Sequence, residues 1–269
     1  MKLLNIQYTW VRRRRVQCAD FNECDGSTRR GDKSVTGFPS FFLGGNLFGY
    51  SLCADEVGAL LTHAARGGLV GIDTASVYGN GLSEELIGAS LAFSTQREAF
   101  FLSTKIGVSH VSQSKGKGRR AAMRTSLEQS LRRLRTDYVD LLSLHHPDTT
   151  TPLAETVDYG LELKSAGLIR SFGVSNPIGE TFRDPASELL GAVHVYGNAI
   201  ESDLIEEAVN LKSPNSKLLV YGVLGRSVLV RPGSKVVGNG SRSRMNDAIA
   251  QLKSDARVAN LAHSIAALA

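Results

Sequence analysis

Three polar residues close otherwise apolar runs in this chain. Asp73 follows Val70-Gly71-Ile72, Lys105 follows the run over 99–104, and His145 follows the run over 138–144. Tyr78 lies five residues beyond Asp73. A free tyrosine has a pKa near 10, too high for ready proton exchange at neutral pH, and a neighbouring ammonium stabilises the phenolate and lowers it. Lys105 is therefore expected to tune Tyr78. An ammonium taken into a cleft needs a counter-charge, and Asp73 can supply it. The imidazole of His145 can donate a hydrogen bond to a substrate oxygen and assist proton transfer. Such a set gives or takes a proton at oxygen. It holds no electron carrier and no good metal cage, so any hydride must come from a redox cofactor.

The elements that position these residues follow from periodicity. From Phe41 onward, short β-rich runs alternate with stretches of helical period, the pattern of repeated βα units on a parallel sheet. Val57, Leu60, Leu61 and Ala64 give a helical stripe, with Gly67-Gly68 where a left-handed cap belongs. Ser83 is placed to cap the next helix, with Glu84 and Glu85 favourable in its first turn. The Gly, Ser and Lys content of residues 112–120 predicts an exposed loop before a helix carrying Met123, Leu127, Leu131 and Leu134 on one face, with Glu128 and Arg132 as an i,i+4 pair. Thr151-Pro152 opens a further helix that Gly167 ends. Strands are predicted over 41–43, 70–73, 99–104, 138–144, 168–174, 192–195 and 217–221, with a helix over 204–211. A loop over 225–243 and a helical tail over 245–269 follow. A complete (β/α)₈ barrel needs one more strand and helix. Val236-Val237 is a poor substitute because of its Gly and Ser neighbours.

With these elements in hand, the sequence resembles the aldo-keto reductase family. The motifs are Gly71-Ile72-Asp73-Thr74-Ala75-Ser76-Val77-Tyr78-Gly79, Ser103-Thr104-Lys105, Asp140-Leu141-Leu142-Ser143-Leu144-His145-His146-Pro147-Asp148 and Gly173-Val174-Ser175-Asn176. Leu43-Gly44-Gly45-Asn46-Leu47-Phe48-Gly49 is similar to the family's first strand and loop. The resemblance runs from about Leu43 to Arg226. It implies an α/β TIM (β/α)₈-type barrel, incomplete at its C-terminal end, that binds NADP, with NAD as the alternative, in the absence of a G-x-G-x-x-G fingerprint. It implies reversible reduction of an aldehyde or ketone, with Asp73, Tyr78, Lys105 and His145 as a catalytic tetrad and Tyr78 as proton donor. Asn46, Asp73, Ser175, Asn176, His194, Tyr221, Leu224 and Gly225 are implied on the cofactor side. Tyr221 reads equally as a nicotinamide-stacking ring and as an ordinary strand-end aromatic.

The departures from the family are local. His194 stands where a glutamine usually supports the carboxamide. The family's last strand, loop and helix, which hold the adenosine ribose and its 2′-phosphate, are expected to have no counterpart in residues 225–269. Arg226, Arg231, Lys235, Arg242 and Arg244 read as phosphate contacts or as a solvated basic loop. A catalytically weak binding or regulatory protein on the same scaffold is the alternative function. An open barrel edge also invites a homo-oligomer to cover it.

Composition sets the outer bounds. At 269 residues, 42% hydrophobic and 21% charged, the chain can bury a large core and is not a disordered protein. Residues 1–40 are expected to form an atypical basic segment and residues 41–269 the barrel domain. Of the net charge of +5, most lies in residues 1–42, which hold eight Lys/Arg against four Asp/Glu. The Arg12 to Arg15 cluster has no interleaved aromatics, so a solvated arm is favoured over nucleic-acid binding. Cys18, Cys24 and Cys53 make no C-x-x-C pair and are expected as reduced thiols. No apolar run reaches the roughly 20 residues of a membrane span and no signal-peptide pattern opens the chain. A cytoplasmic address, a small carbonyl or alcohol substrate and no membrane partner are the expectations.

Overall fold

Each strand of this chain carries two interleaved sets of side chains, and the two sets meet different surroundings. A computed structural model describes residues 37–67, 70–93, 97–107, 116–147, 151–177, 179–198 and 201–224. Among the described residues, seven strands run in chain order: β1 Phe42–Gly44, β2 Val70–Asp73, β3 Phe100–Ile106, β4 Val139–Leu144, β5 Ile169–Ser175, β6 Ala192–Tyr196 and β7 Lys217–Tyr221. They form one sheet in the order β1-β2-β3-β4-β5-β6-β7, with every neighbouring pair parallel. Six helices connect them: α1 Ala54–Gly67, α2 Leu82–Phe93, α3 Gly116–Leu134, α4 Leu153–Ser165, α5 Gly179–Arg183 and α6 Asp203–Leu211.

One set of strand residues, including Ile72, Leu102, Ile106, Leu142, Leu144, Phe172, Val174 and Val193, joins the helix residues Val57, Leu61, Ile87, Met123, Leu127, Leu131, Leu134 and Val157 in the main core. Burying each such side chain contributes about 1.5–3 kcal/mol. The opposite set makes a second cluster, in which Phe101, Leu141, Ala192 and Leu219 gather with Phe38 and Phe42. A flat sheet cannot bring β1 and β7 into one cluster. The sheet therefore curls into a half-barrel with its helices outside, the architecture of a TIM-type barrel. Gly71 makes the inner packing of Phe42 feasible, since a Cβ there would lie 2.3 Å from the Phe42 ring.

The bottom of the sheet is tied by charge. Asp140 accepts from Arg97 Nη2 at 2.8 Å and from the Leu102 backbone N–H at 2.8 Å, and Arg170 Nε lies 3.4 Å away. The two guanidinium groups approach the Tyr138 ring at 4.4 and 4.5 Å from its centre. One carboxylate thus links β3, β4 and β5.

The local differences from the sequence reading have physical causes. Ser83 does not cap α2, which already includes Leu82. Its hydroxyl turns inward to donate to the Gly45 carbonyl and pairs with Thr74 Oγ1, both at 2.8 Å. α3 begins at Gly116, inside the stretch predicted as loop. Packing of Met123 and Leu127 outweighs the poor helix propensity of its first turn. Glu128 pairs with Arg124 at 2.9 Å rather than with Arg132. α5 and the 3-10 turn Pro185–Leu189 were not foreseen, because neither is long enough to show a period. Residues 1–36 and 225–269 lie outside the described residues. With them lie the arginine cluster, Cys18, Cys24, Gly225, the Val236-Val237 alternative and the predicted tail. Among the described residues no helix is long and apolar enough to cross a membrane, and Cys53 is an exposed free thiol.

Replacing Asp140 with Ala is expected to cost about 3–5 kcal/mol, because it strands the half-buried charge of Arg97. Arg124→Ala, which breaks only an exposed helical pair, should cost about 0.5 kcal/mol or less. Equilibrium urea unfolding measures both, and equal losses would contradict the assignment of the Asp140 cluster as a tie.

Candidate active site

Parallel strands bring their carboxyl ends to the same rim, so residues spaced far apart in sequence meet there. Asp73 ends β2, Lys105 lies near the end of β3, and His145 follows β4 directly, its backbone N–H bonded to the Ile106 carbonyl at 2.8 Å. Lys105 Nζ donates to Asp73 Oδ2 at 2.5 Å and to the Thr74 carbonyl at 3.1 Å. Ser103, two residues before Lys105 and therefore on the same face, donates to Asp73 Oδ1 at 2.8 Å. The pair is enclosed, with the lysine side chain 3% and the aspartate 15% exposed.

Tyr78 reaches this pair through a tight turn. Gly79, Asn80 and Gly81 all have left-handed φ, of 56°, 55° and 95°. Glycine takes such angles freely and asparagine tolerates them, so the chain can reverse within the turn Tyr78–Gly81. Lys105 Nζ lies 5.5 Å from the centre of the Tyr78 ring, and the His145 ring meets that ring edge-on at 5.9 Å. The structure thus brings Asp73, Tyr78, Lys105 and His145 together. His146 stacks on His145 at 5.0 Å and is itself exposed.

The electrostatics follow from enclosure. Burial raises the Asp73 pKa, but Lys105, His194 and the hydrogen bonds from Lys105 and Ser103 outweigh it and leave the carboxyl below its usual value. Burial likewise raises the Tyr78 phenol, and here Lys105 opposes the rise without reversing it. The expected lowering is therefore overturned: desolvation of the phenolate exceeds the attraction of an ammonium already shared with Asp73. Burial, reinforced by Lys105 and His146, brings His145 down to about 4. Burial, partly opposed by Asp73, brings His194 down to about 4 as well. Both imidazoles are neutral at pH 7.

The residues read as cofactor contacts fall into three groups. Ser175 ends β5, and Asn176 follows with φ of 55°. Asn176 Nδ2 donates to the His145 carbonyl at 3.0 Å and to Ser175 Oγ at 3.2 Å, while its Oδ1 accepts from the Tyr221 hydroxyl. Those bonds use both amide protons of Asn176. One lone pair on its Oδ1 and the hydroxyl proton of Ser175 are left, an acceptor beside a donor, which complements a primary carboxamide. Tyr221, 39% exposed, ends β7 on the same side and offers a flat ring. The second group is peripheral: Asn46 is exposed on the turn after β1, and Leu224 is exposed beyond β7. His194 stands alone. It is buried, its Nε2 is 3.0 Å from Ser143 Oγ and its Nδ1 is 4.0 Å from Asp73 Oδ1.

Ser103, Ser143 and the Thr74 carbonyl were missed from sequence. Stepping back two residues from Lys105 and from His145 reaches Ser103 and Ser143, so the strand period was the available signal. Among the described residues no cluster of His, Cys, Asp or Glu could hold a metal ion.

Two neutral histidines, His145 half-buried and His194 buried, impose a pH dependence on stability. Each has a folded pKa near 4 against 6.5 when unfolded, so the unfolded chain binds more protons between those values. Stability is full above about 6.5 and falls toward pH 4, whereas Asp73, already lowered, stays charged over this range. The urea midpoint should drop from pH 7 to pH 5, and His194→Gln should flatten that slope. An unchanged slope in the variant would mean that His194 is not held neutral by its surroundings.

Known proteins supply an independent comparison. Residues 41–185 match the model of the Aldo/keto reductase family. Aldo-keto reductase YhdN of Bacillus subtilis is 34% identical over 206 residues, covering 74% of this chain and 60% of that protein. Methylglyoxal reductase DkgB of Salmonella typhi is 34% identical over 166 residues, covering 61% and 57%. The chain thus spans about three-fifths of the length of these curated relatives. Among solved structures, an aldo-keto reductase from Klebsiella pneumoniae in complex with NADPH superposes with a TM-score of 0.59 at 30% identity, covering 75% of this chain and 69% of that one.

Proposed function

The chain belongs to the aldo/keto reductase family, and from that premise we propose that it reduces an aldehyde or ketone to the alcohol, reversibly, with NADP(H) as coenzyme and NAD(H) as the alternative. The observation that carries this reading is the enclosed Lys105–Asp73 pair beneath the Tyr78 ring, with a neutral His145 edge-on beside it. The coenzyme reading draws on the complementarity of Ser175 and Asn176 to a carboxamide, on the ring of Tyr221, and on the NADPH complex of the Klebsiella relative.

In this reading the reduced nicotinamide supplies the hydride. Ser175 and Asn176 would bind and orient its carboxamide, Tyr221 would offer its ring to it, and Asn46 and Leu224 are assigned to the periphery of the same site. Tyr78 gives its hydroxyl proton to the carbonyl oxygen of the substrate. A phenol pKa raised by burial keeps that proton in place until reaction. The Lys105 ammonium then stabilises the phenolate, and Asp73 holds the ammonium in position. His145, neutral at pH 7, offers an N–H to the substrate oxygen without adding a second positive charge. A small carbonyl compound is the substrate class, and methylglyoxal is a natural first probe given the name of one relative.

The test is titration of the protein with NADPH and then NADH, followed by loss of nicotinamide absorbance on adding an aldehyde panel. Aldehyde-dependent oxidation is expected. Binding without oxidation would favour a regulatory role. Tyr78→Phe should lower kcat about 10²- to 10⁴-fold, the usual range for a general acid, with the coenzyme Kd unchanged within about twofold. Undiminished turnover in that variant would overturn the assignment of Tyr78.

A further inference from the structure

We propose that Tyr196 and Glu201 are positioning residues for the nicotinamide end of the coenzyme: the Glu201 carboxylate anchors Tyr196, whose ring braces Tyr221, which in turn fixes the amide of Asn176. The inference rests on the coenzyme reading above and extends it to two residues that touch neither substrate nor tetrad in that reading. Tyr196 ends β6 and is the register partner of Tyr221 at the end of β7. Their rings meet at 5.7 Å and 63°, close to edge-on. The Tyr196 hydroxyl donates to Glu201 Oε2 at 2.7 Å, and Asn198 Nδ2 donates to the Tyr196 hydroxyl at 3.2 Å.

Asn198 Nδ2 also donates to Glu201 Oε2 at 3.4 Å, and the backbone that carries Glu201 is itself held. Asn198 Oδ1 accepts from the Glu201 backbone N–H at 3.1 Å, and the Asn198 backbone N–H donates to the Glu201 carbonyl at 3.0 Å. Asn198 and Glu201 are thus bonded to each other in both directions. On the other side, Gly222 directly follows Tyr221 with φ of 76°, and a Cβ there would lie 2.5 Å from the Tyr196 ring. The backbone leaving β7 therefore runs against that ring. Tyr221 is 39% exposed and takes its fixed place from this edge contact and from its bond to Asn176. Since that bond leaves one lone pair on Asn176 Oδ1, the chain from Glu201 to Asn176 decides where the acceptor for a carboxamide points. Groups held before binding lose less freedom on binding.

The experiment compares two ligands on four proteins. NADPH carries the nicotinamide, and 2′-phospho-ADP-ribose is the same dinucleotide without that ring. Their Kd values are measured by fluorescence titration for the unaltered chain, Tyr196→Phe, Glu201→Ala and Glu201→Gln. Tyr196→Phe and Glu201→Ala should weaken NADPH roughly three- to tenfold, the size of one ordinary hydrogen bond, and leave the ring-free ligand within about twofold. Glu201→Gln keeps an acceptor and should restore most of the NADPH affinity. Equal losses for both ligands, or NADPH binding unchanged in both disruptive variants, would overturn the inference while leaving the coenzyme reading intact. Failure of the unaltered chain to bind NADPH would overturn both.

Discussion

Enclosing the Lys105 ammonium removes hydration worth several kcal/mol, and the residues around it are arranged to offset that loss. Asp73 supplies the opposite charge at 2.5 Å, the Thr74 carbonyl accepts a second N–H, and Ser103 holds the far carboxylate oxygen. Each comes from β2 or β3 or the residue after them, so the pair forms only where those strands are in the observed register, Asp73 opposite Ser103. The curl of the sheet and the hydrophobic layer of Phe42, Phe101 and Leu141 below it fix the depth at which the pair sits.

That enclosure governs the chemistry of its neighbours. With one positive and one negative charge already paired in a poorly hydrated space, the nearby histidines stay neutral and the phenol of Tyr78 stays protonated. In the proposed function that protonated phenol is the proton donor at neutral pH. An ammonium free of Asp73 would act more strongly on Tyr78, so the carboxylate moderates the phenol as well as holding the lysine.

Asp73, Lys105 and His145 were legible because each breaks an apolar strand at its end, where a charge is costly and so informative. Tyr78 was legible through its distance from Asp73. The strand order and most helix faces followed from periods of two and of 3.6. What escaped was chemistry carried by common residues. Ser103 and Ser143 are unremarkable in type and gain meaning only from the side of the strand they share with Lys105 and His194. The net direction of the Tyr78 shift was also hidden, since a sequence names the ammonium but not the depth of burial. Ser83 was misplaced because its hydroxyl finds the Gly45 carbonyl, a partner 38 residues away. The bond between Tyr196 and Glu201 depends on the pairing of Asn198 with Glu201, which no local pattern announces.

The interior layer around Lys105 is made of small residues. Ser143 is its register partner, Gly173 follows on β5 and Ala192 on β6. A Cβ on Gly173 would already stand 2.5 Å from the Ala192 carbonyl and 3.0 Å from Ser143 Oγ. Room at this level is therefore taken up by the long stem of the lysine and the ring of His194, and a bulkier neighbour would displace one of them. Steric exclusion thus protects the charged pair alongside electrostatics. In the proposed function, change in the range of molecules accepted falls to the turns beyond the strand ends, such as the one that carries the exposed His146, where a new side chain leaves the layer around Lys105 undisturbed.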